Sequence, residues 1–293
     1  MMKEHLFISG HTACPGCAQA TAAKLVIDSA GKNTIITNNT GCLEVFTSRY
    51  PESSWKVPWI HSLFENAAAV ASGIEAALKY LGKKEGINVI AQAGDGGTAD
   101  IGLQALSGAW ERGADILSIC YDNESYMNTG IQRSGLTPYG AHTTTSPAGI
   151  YSIGNPINKK PMPDVALSHG CLYVATATVG FPQDLIRKIK KAFTIRGPKY
   201  LQIHSPCPLG WGYEPNLTYK ISKLAVETGL IPIVEYEYGK LISKRQIKPV
   251  NVEEYLKLQR RFRHILDKPE QIKIIQEIAN TNIERYGLGA EEV

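Results

Sequence analysis

A chain of 293 residues with 43% hydrophobic content can bury a sizeable core, as one large α/β domain or two small ones. Its net charge of +4 is mild, and no basic stripe runs along it, which argues against a dedicated nucleic-acid binder. No run of about 18 apolar residues predicts a membrane span, and residues 1–10 show neither a long apolar stretch nor a small-residue cleavage pattern.

With no secretion signal expected, the six cysteines read as metal, cofactor or core positions rather than disulfides, and the default compartment is the cytoplasm. The first motif in chain order is His11-Thr12-Ala13-Cys14-Pro15-Gly16-Cys17, directly before an alanine-rich run, residues 18–27, that favours helix. A Cys-x-x-Cys at a helix start reads as a redox pair, half of a zinc site or half of an iron–sulfur site. The redox pair needs a thioredoxin fold, which the flanking pattern does not offer. Residues 34–37 predict a short strand, and Asn38-Asn39-Thr40-Gly41-Cys42 a glycine-bearing turn, placing a third thiol at a strand end. Residues 55–60, aromatic and proline-bearing, read as irregular. Residues 62–77 read as a helix of small apolar residues, with Glu65 either facing a ligand or complementing the helix dipole.

Residues 89–93 (Val-Ile-Ala-Gln-Ala) are apolar enough for a buried parallel strand. Gly94, Gly96 and Gly97 then let the chain turn sharply, with amides free to face a phosphate at the start of a helix over residues 100–111. Asp95 supplies a hard carboxylate oxygen among them. After a strand at 116–120, Asn123 brings a neutral amide oxygen to the same sheet edge. Together with a diphosphate, those oxygens make a Mg2+ site, because Mg2+ takes oxygen ligands and some of them from phosphates. Residues 130–163, rich in Gly, Pro, Thr and Ser, read as a lid and subunit-contact segment. His142 and His169 near it are expected to be surface or hydrogen-bonded residues.

Two further units follow: strand 172–178 with helix 183–195, then strand 199–204 leading to Ser205-Pro206-Cys207-Pro208 and a fourth thiol. Cys120 and Cys171 fall inside apolar runs and are assigned to the core. Beyond residue 215 the pattern predicts an extended stretch at 227–238, a hairpin around Gly229 and Pro232, then helices at 252–265 and 269–286, with Asn251 as N-cap. Lys257, Arg260, Arg261, Arg263 and Lys268 alternate with Glu253, Glu254, Asp267 and Glu270, as on a solvated face or an arm wrapping a partner. The fold class expected is α/β, a doubly wound, mainly parallel sheet over residues 1–215 with a mostly helical, partner-contacting extension over 216–293. Four thiols beside bent backbone suit a [4Fe–4S] cluster, with zinc as the alternative.

Gly-Asp-Gly followed by Asn123, the string Tyr121-Asp122-Asn123-Glu124-Ser125-Tyr126-Met127-Asn128-Thr129-Gly130-Ile131-Gln132 and the four cysteines resemble the thiamine-binding β subunit of pyruvate:ferredoxin oxidoreductase and its 2-oxoacid relatives. The resemblance implies thiamine diphosphate with Mg2+ on Asp95, Asn123 and the Ser125 carbonyl, and Gly94, Gly96 and Gly97 beside the diphosphate. It also implies Thr40 and Gly41 near the thiazolium, Asn128 as a catalytic amide beside the reacting carbon, and a [4Fe–4S] cluster on Cys14, Cys17, Cys42 and Cys207. The implied reaction is oxidative decarboxylation of a 2-oxoacid, pyruvate first and a branched-chain acid such as 2-oxoisovalerate second, with the acyl group passed to coenzyme A and electrons to ferredoxin. Outside the family, the alternative is a zinc-stapled module binding a phosphorylated ligand without catalysis. The glutamate that contacts the aminopyrimidine comes, in the family, from a separate domain. No second such domain is found here, so an α subunit, with further γ/δ-type subunits, is expected to complete the site. One departure is Ala18-Gln19 after Cys17, where many relatives have Gly-Glu.

Overall fold

In a computed structural model describing residues 5–49 and 51–289, the apolar runs form strands whose alternate side chains point to opposite faces. Six of them are mutually parallel: β1 (Thr34–Asn38), β2 (Trp59–His61), β3 (Asn88–Gly94), β4 (Leu117–Asp122), β5 (Tyr173–Thr178) and β6 (Lys199–His204). Two antiparallel strands, β7 (Val234–Glu237) and β8 (Lys240–Lys244), complete one eight-stranded sheet of order β8-β7-β5-β6-β4-β3-β1-β2. Every residue of β4 is buried, as a strand covered on both faces requires.

Ile90, Leu117, Ile119 and Tyr121 face one side, under helices α1 (Ala18–Ala30) and, later in the chain, the helix Pro182–Ala192. Val89, Ala91 and Cys120 face the other, under the helices Ala67–Tyr80 and Leu103–Glu111. The small residues Ala67, Ala68 and Ala71 let their helix lie close on the sheet, and Cys120 and Cys171 are buried core residues as expected. A third cluster, around Trp211, Phe262 and Ile275, joins the C-terminal helices to the segment around Ala141.

The strand direction of travel reverses between β1 and β3: β2 lies outside β1 on one side, and β3 and β4 follow on the other. Such a switch point opens a crevice at the carboxyl ends of the strands. The doubly wound, mainly parallel sheet is therefore as expected, but several boundaries move. The edge strand β2 lies in the stretch read as irregular; three residues after Pro58 are too few for a periodic signal. A helix, Thr218–Glu227, precedes Gly229, and the hairpin turns instead at Tyr238 and Gly239, both at positive φ, as a tight two-residue turn demands. Residues 252–265 divide into the short helix Glu253–Leu256 and a 3-10 turn, Arg260–Ile265. The N-cap of that helix is Val252 rather than Asn251, whose side chain lies one residue earlier and accepts from Glu253 N at 2.9 Å. Arg261 is only 5% exposed, so it does not lie on a solvated face. Among the described residues no helix is long and apolar enough to cross a membrane.

Candidate cofactor site

At the switch point, the carboxyl ends of β1, β3 and β4 enclose a cavity of about 380 Å³. Thr40, Gly41, Cys42, Gly94, Asp95, Gly96, Gly97, Asn123, Ser125 and Asn128 all line it. Asn128 is exposed at its mouth, and Gln19, Glu65, Phe64 and Met127 are further lining residues.

Asp95 is 1% exposed. Burial pushes its carboxyl well above the usual carboxylate range, and the nearby charge of Asp122 pushes it further. The hydroxyl of Ser134 donates to Asp95 Oδ2, leaving Oδ1 toward Asn123. There the Asn123 amide oxygen stands 3.1 Å from Asp95 Oδ1 and 2.7 Å from the Ser125 carbonyl oxygen. Three oxygens with no proton between them repel one another. They are relieved either by turning the amide so that its NH2 donates to both, or by a hard cation placed among them. The donor set fits Mg2+, and a cation there would also supply the charge that a buried Asp95 lacks.

The glycines fit a diphosphate beside it. A Cβ on Gly94 would meet no protein atom within 4 Å, so only open cavity lies over it. Gly96 is bare for a different reason: a Cβ there would stand 2.3 Å from the ring of Tyr126, whose hydroxyl donates to Asp100 Oδ2 at 3.0 Å. Residues Gly96–Asp100 form a π-helical turn before the α-helix, a local widening common at functional sites.

Of the four thiols, Cys42 lines this cavity, whereas Cys14 and Cys17 line a separate one with Pro215 and Thr218. Cys17 is the N-cap of α1, and Cys42 begins the helix Cys42–Thr47. Cys207 is the N-cap of the turn Pro208–Trp211, where its sulfur accepts from Gly210 N at 3.4 Å. The Cys14–Cys17 loop is held against the later segment by Thr218, whose hydroxyl donates to the Gly16 carbonyl at 2.7 Å. Gly16, at φ 72°, lies so close to Pro215 that a Cβ would meet its carbonyl oxygen at 2.5 Å. Burial, and then the charges of Cys207, Cys17, Cys14 and Asp95, push the Cys42 thiol up to about 12. Burial likewise lifts Cys207 to about 11, against the amide of Gly210. The four thiols are thus close enough to feel one another. Even so, among the described residues no three His, Cys, Asp or Glu side chains are grouped tightly enough to hold a single metal ion.

With that geometry in place, residues 39–203 match the family of the thiamine pyrophosphate enzyme C-terminal TPP binding domain. The pyruvate synthase subunit PorB of Methanosarcina barkeri is 56% identical over 284 residues, covering 96% of each chain. The chain belongs to this family. The ketoisovalerate oxidoreductase subunit VorB of Pyrococcus abyssi is 46% identical over 280 residues, covering 93% of this chain and 89% of that one. A solved 2-oxoglutarate:ferredoxin oxidoreductase from Magnetococcus marinus, with 2-oxoglutarate, coenzyme A and succinyl-CoA bound, is similar at a TM-score of 0.59 and 26% identity. That match covers 70% of this chain and 67% of that one.

Beside the expected residues, the site of this family member uses several that motif reading passed over. Ser134 and Thr137 come from the segment read as a lid, yet both are 1% exposed and form the inner wall behind Asp95. Asn39 accepts from Ala67 N at 2.7 Å and donates to the Gly97 carbonyl at 2.9 Å, tying the β1 and β3 turns together. Trp211 Nε1 donates to the Asn123 carbonyl at 2.8 Å, linking the Cys207 turn to the Asn123 loop. Asn39 stood in a turn already singled out; nothing in the sequence marks Ser134 or Trp211.

Proposed function

We propose that this chain is the β subunit of a 2-oxoacid:ferredoxin oxidoreductase that carries thiamine diphosphate, Mg2+ and a [4Fe–4S] cluster, with pyruvate as the preferred 2-oxoacid. The observation that carries this reading is the convergence of the Asp95, Asn123 and Ser125 oxygens in the same cavity as the Cys42 thiol. Bound thiamine diphosphate supplies an electron sink for decarboxylating a 2-oxoacid, and an iron–sulfur cluster supplies one-electron chemistry.

The residues of this chain bind and orient. Asp95, Asn123 and the Ser125 carbonyl hold the cation, with Ser134 fixing the carboxylate. Gly94 leaves room for the diphosphate, with Gly96 and Gly97 lining the same cavity; Thr40 and Gly41 would line the thiazolium side, where Thr40 is held by His61 at 2.8 Å. Asn128, an exposed residue of the cavity lining, would donate to the substrate oxygen as charge develops on it. Phe64 and Met127 exclude water from the wall. Cys14, Cys17, Cys42 and Cys207 hold the cluster. Zinc would bring four thiolates to within about 3.8 Å of one another, given Zn–S bonds of about 2.3 Å. A [4Fe–4S] cluster would take the same four thiolates and supply the one-electron chemistry that zinc lacks.

The reaction proposed is pyruvate with coenzyme A and oxidised ferredoxin to acetyl-CoA, CO2 and reduced ferredoxin, in the cytoplasm, where ligand thiols stay reduced. Pyruvate is put first because relatives named PorB reach 56% identity; within Pyrococcus, PorB at 47% and VorB at 46% stand level, so 2-oxoisovalerate is the second reading. An α subunit supplies the aminopyrimidine glutamate, and further γ/δ-type subunits complete the complex. Residues 1–215 carry the proposed ligands, and the outer face of 216–293 is proposed to meet a partner.

The test is co-purification of the subunits followed by metal and cofactor analysis. The complex is expected to be brown, with visible absorption that bleaches on adding 2-oxoacid and coenzyme A. A colourless complex with stoichiometric zinc overturns the reading.

A further inference from the structure

Glu124 lies between two of the residues whose oxygens converge on the cation position. It is 2% exposed and adopts φ 69°, a left-handed conformation that a non-glycine residue keeps only where its surroundings over-determine it. Its carboxylate accepts from Lys159 Nζ at 2.8 Å on one oxygen and from Arg261 Nη2 at 2.5 Å on the other. Arg261 comes from the C-terminal extension and lies with its guanidinium 3.6 Å over the Trp211 ring. Trp211 in turn donates to the Asn123 carbonyl, and Thr137 Oγ1 donates to the Glu124 carbonyl at 2.7 Å. Gln259 Oε1 accepts from Arg261 Nε at 2.9 Å and fixes the guanidinium plane. Side chain and both flanking carbonyls of the 123–125 loop are thereby gripped from beneath.

We propose that Glu124 and Arg261 form a buried clamp that sets the 123–125 loop, so that the C-terminal extension positions the oxygens that hold Mg2+. The clamp rests on the cation site proposed above and adds to it two positioning residues that touch neither cation nor cofactor. Arg261 is the part the sheet itself cannot supply. Lys159, shared with Asp122 at 2.7 Å, and His204 of β6, whose Nε2 stands 3.6 Å away, both face the other Glu124 oxygen. Without the guanidinium, the second oxygen loses its partner and Trp211 its cover, so the loop is free to leave the left-handed conformation.

In the purified complex, Arg261→Met is expected to raise the Mg2+ concentration that half-saturates thiamine diphosphate binding by about 10–100-fold, as for other residues that orient a metal's ligands. Iron content and visible absorption should stay at the wild-type level, and saturating Mg2+ should restore binding. Arg261→Lys keeps a cation opposite Glu124 and should fall between, and Glu124→Gln, which keeps the shape but not the charge, should follow Arg261→Met in the same direction. A folded Arg261→Met complex with wild-type Mg2+ dependence overturns the clamp. Joint loss of iron and thiamine diphosphate binding that high Mg2+ does not rescue, in all three variants, also overturns it and marks a general structural role. A wild-type complex that binds thiamine diphosphate independently of Mg2+ removes the proposed cation site and the clamp with it. A Mg2+-dependent wild type with an unaltered variant removes the clamp alone.

Discussion

Asp95 sits where its own charge is unfavourable, buried and close to Asp122. Such a carboxyl keeps its proton unless a cation stands beside it; with Mg2+ held there as proposed, Asp95→Ala should weaken Mg2+-dependent thiamine diphosphate binding by more than about 100-fold, beyond what loss of a merely supporting residue costs. Calorimetric titration of the complex at fixed Mg2+ checks this; unchanged affinity would show that the carboxylate holds no metal. Gly96 illustrates a different constraint. Because Tyr126 is tied to Asp100, the ring cannot swing away freely from a new methyl, so Gly96→Ala should cost about 1–3 kcal/mol. Thermal unfolding measures that loss, and pairing it with Tyr126→Ala should recover part of it, as coupled neighbours do. The glycines and Asp95 were legible in the sequence as a cluster at a strand end, but not as the sharp turn expected: none of Gly94, Gly96 and Gly97 has a positive φ, and the strand runs directly into a helical turn. Ser134 was not, since a serine in a polar loop looks the same whether it faces water or a buried carboxylate.

Among the elements, strands end in the site at one edge of the sheet and are pinned at the opposite edge. Asp115, just before β4, accepts from Lys199 of β6 at 2.5 Å, Lys84 at 3.0 Å and Gly197 N at 3.1 Å. Burial alone would raise its carboxyl, but Lys199 and the other donors outweigh that and hold it well below the usual range. A depressed carboxylate contributes stability that is complete above the unfolded value and is lost as pH falls through the folded one. Asp115→Asn, which leaves the nearly buried Lys199 without its counter-ion, should therefore cost about 3 kcal/mol at pH 7. The gap between mutant and wild type should narrow below about pH 4, where the unfolded chain takes up the proton. Denaturant unfolding at several pH values tests the sign; a gap that widens in acid would refute it. Helix and strand identities over residues 18–204 were mostly legible from period and length. The β2 edge strand and the Thr218–Glu227 helix were not, because the first is too short and the second was masked by the glycine and proline that follow it.

At the scale of the whole molecule, the C-terminal extension belongs to the same sheet through β7 and to the site through Arg261. Removing residues 216–293 would strip the cover from Trp211 and Tyr213 in the third core cluster and is expected to leave no soluble protein. Soluble expression of a 1–215 chain with a melting transition like the full chain's would contradict this. What the sequence alone determined was chemistry that depends on residue type and local spacing: the glycine turns, the oxygen donors and the four cysteines. What only the tertiary structure decided was which distant groups meet. Gly16 seats on Pro215, Ser134 turns inward to Asp95, and Arg261 reaches Glu124 across 137 residues of chain. Those contacts arise from packing between segments whose composition is ordinary, so no local pattern announces them.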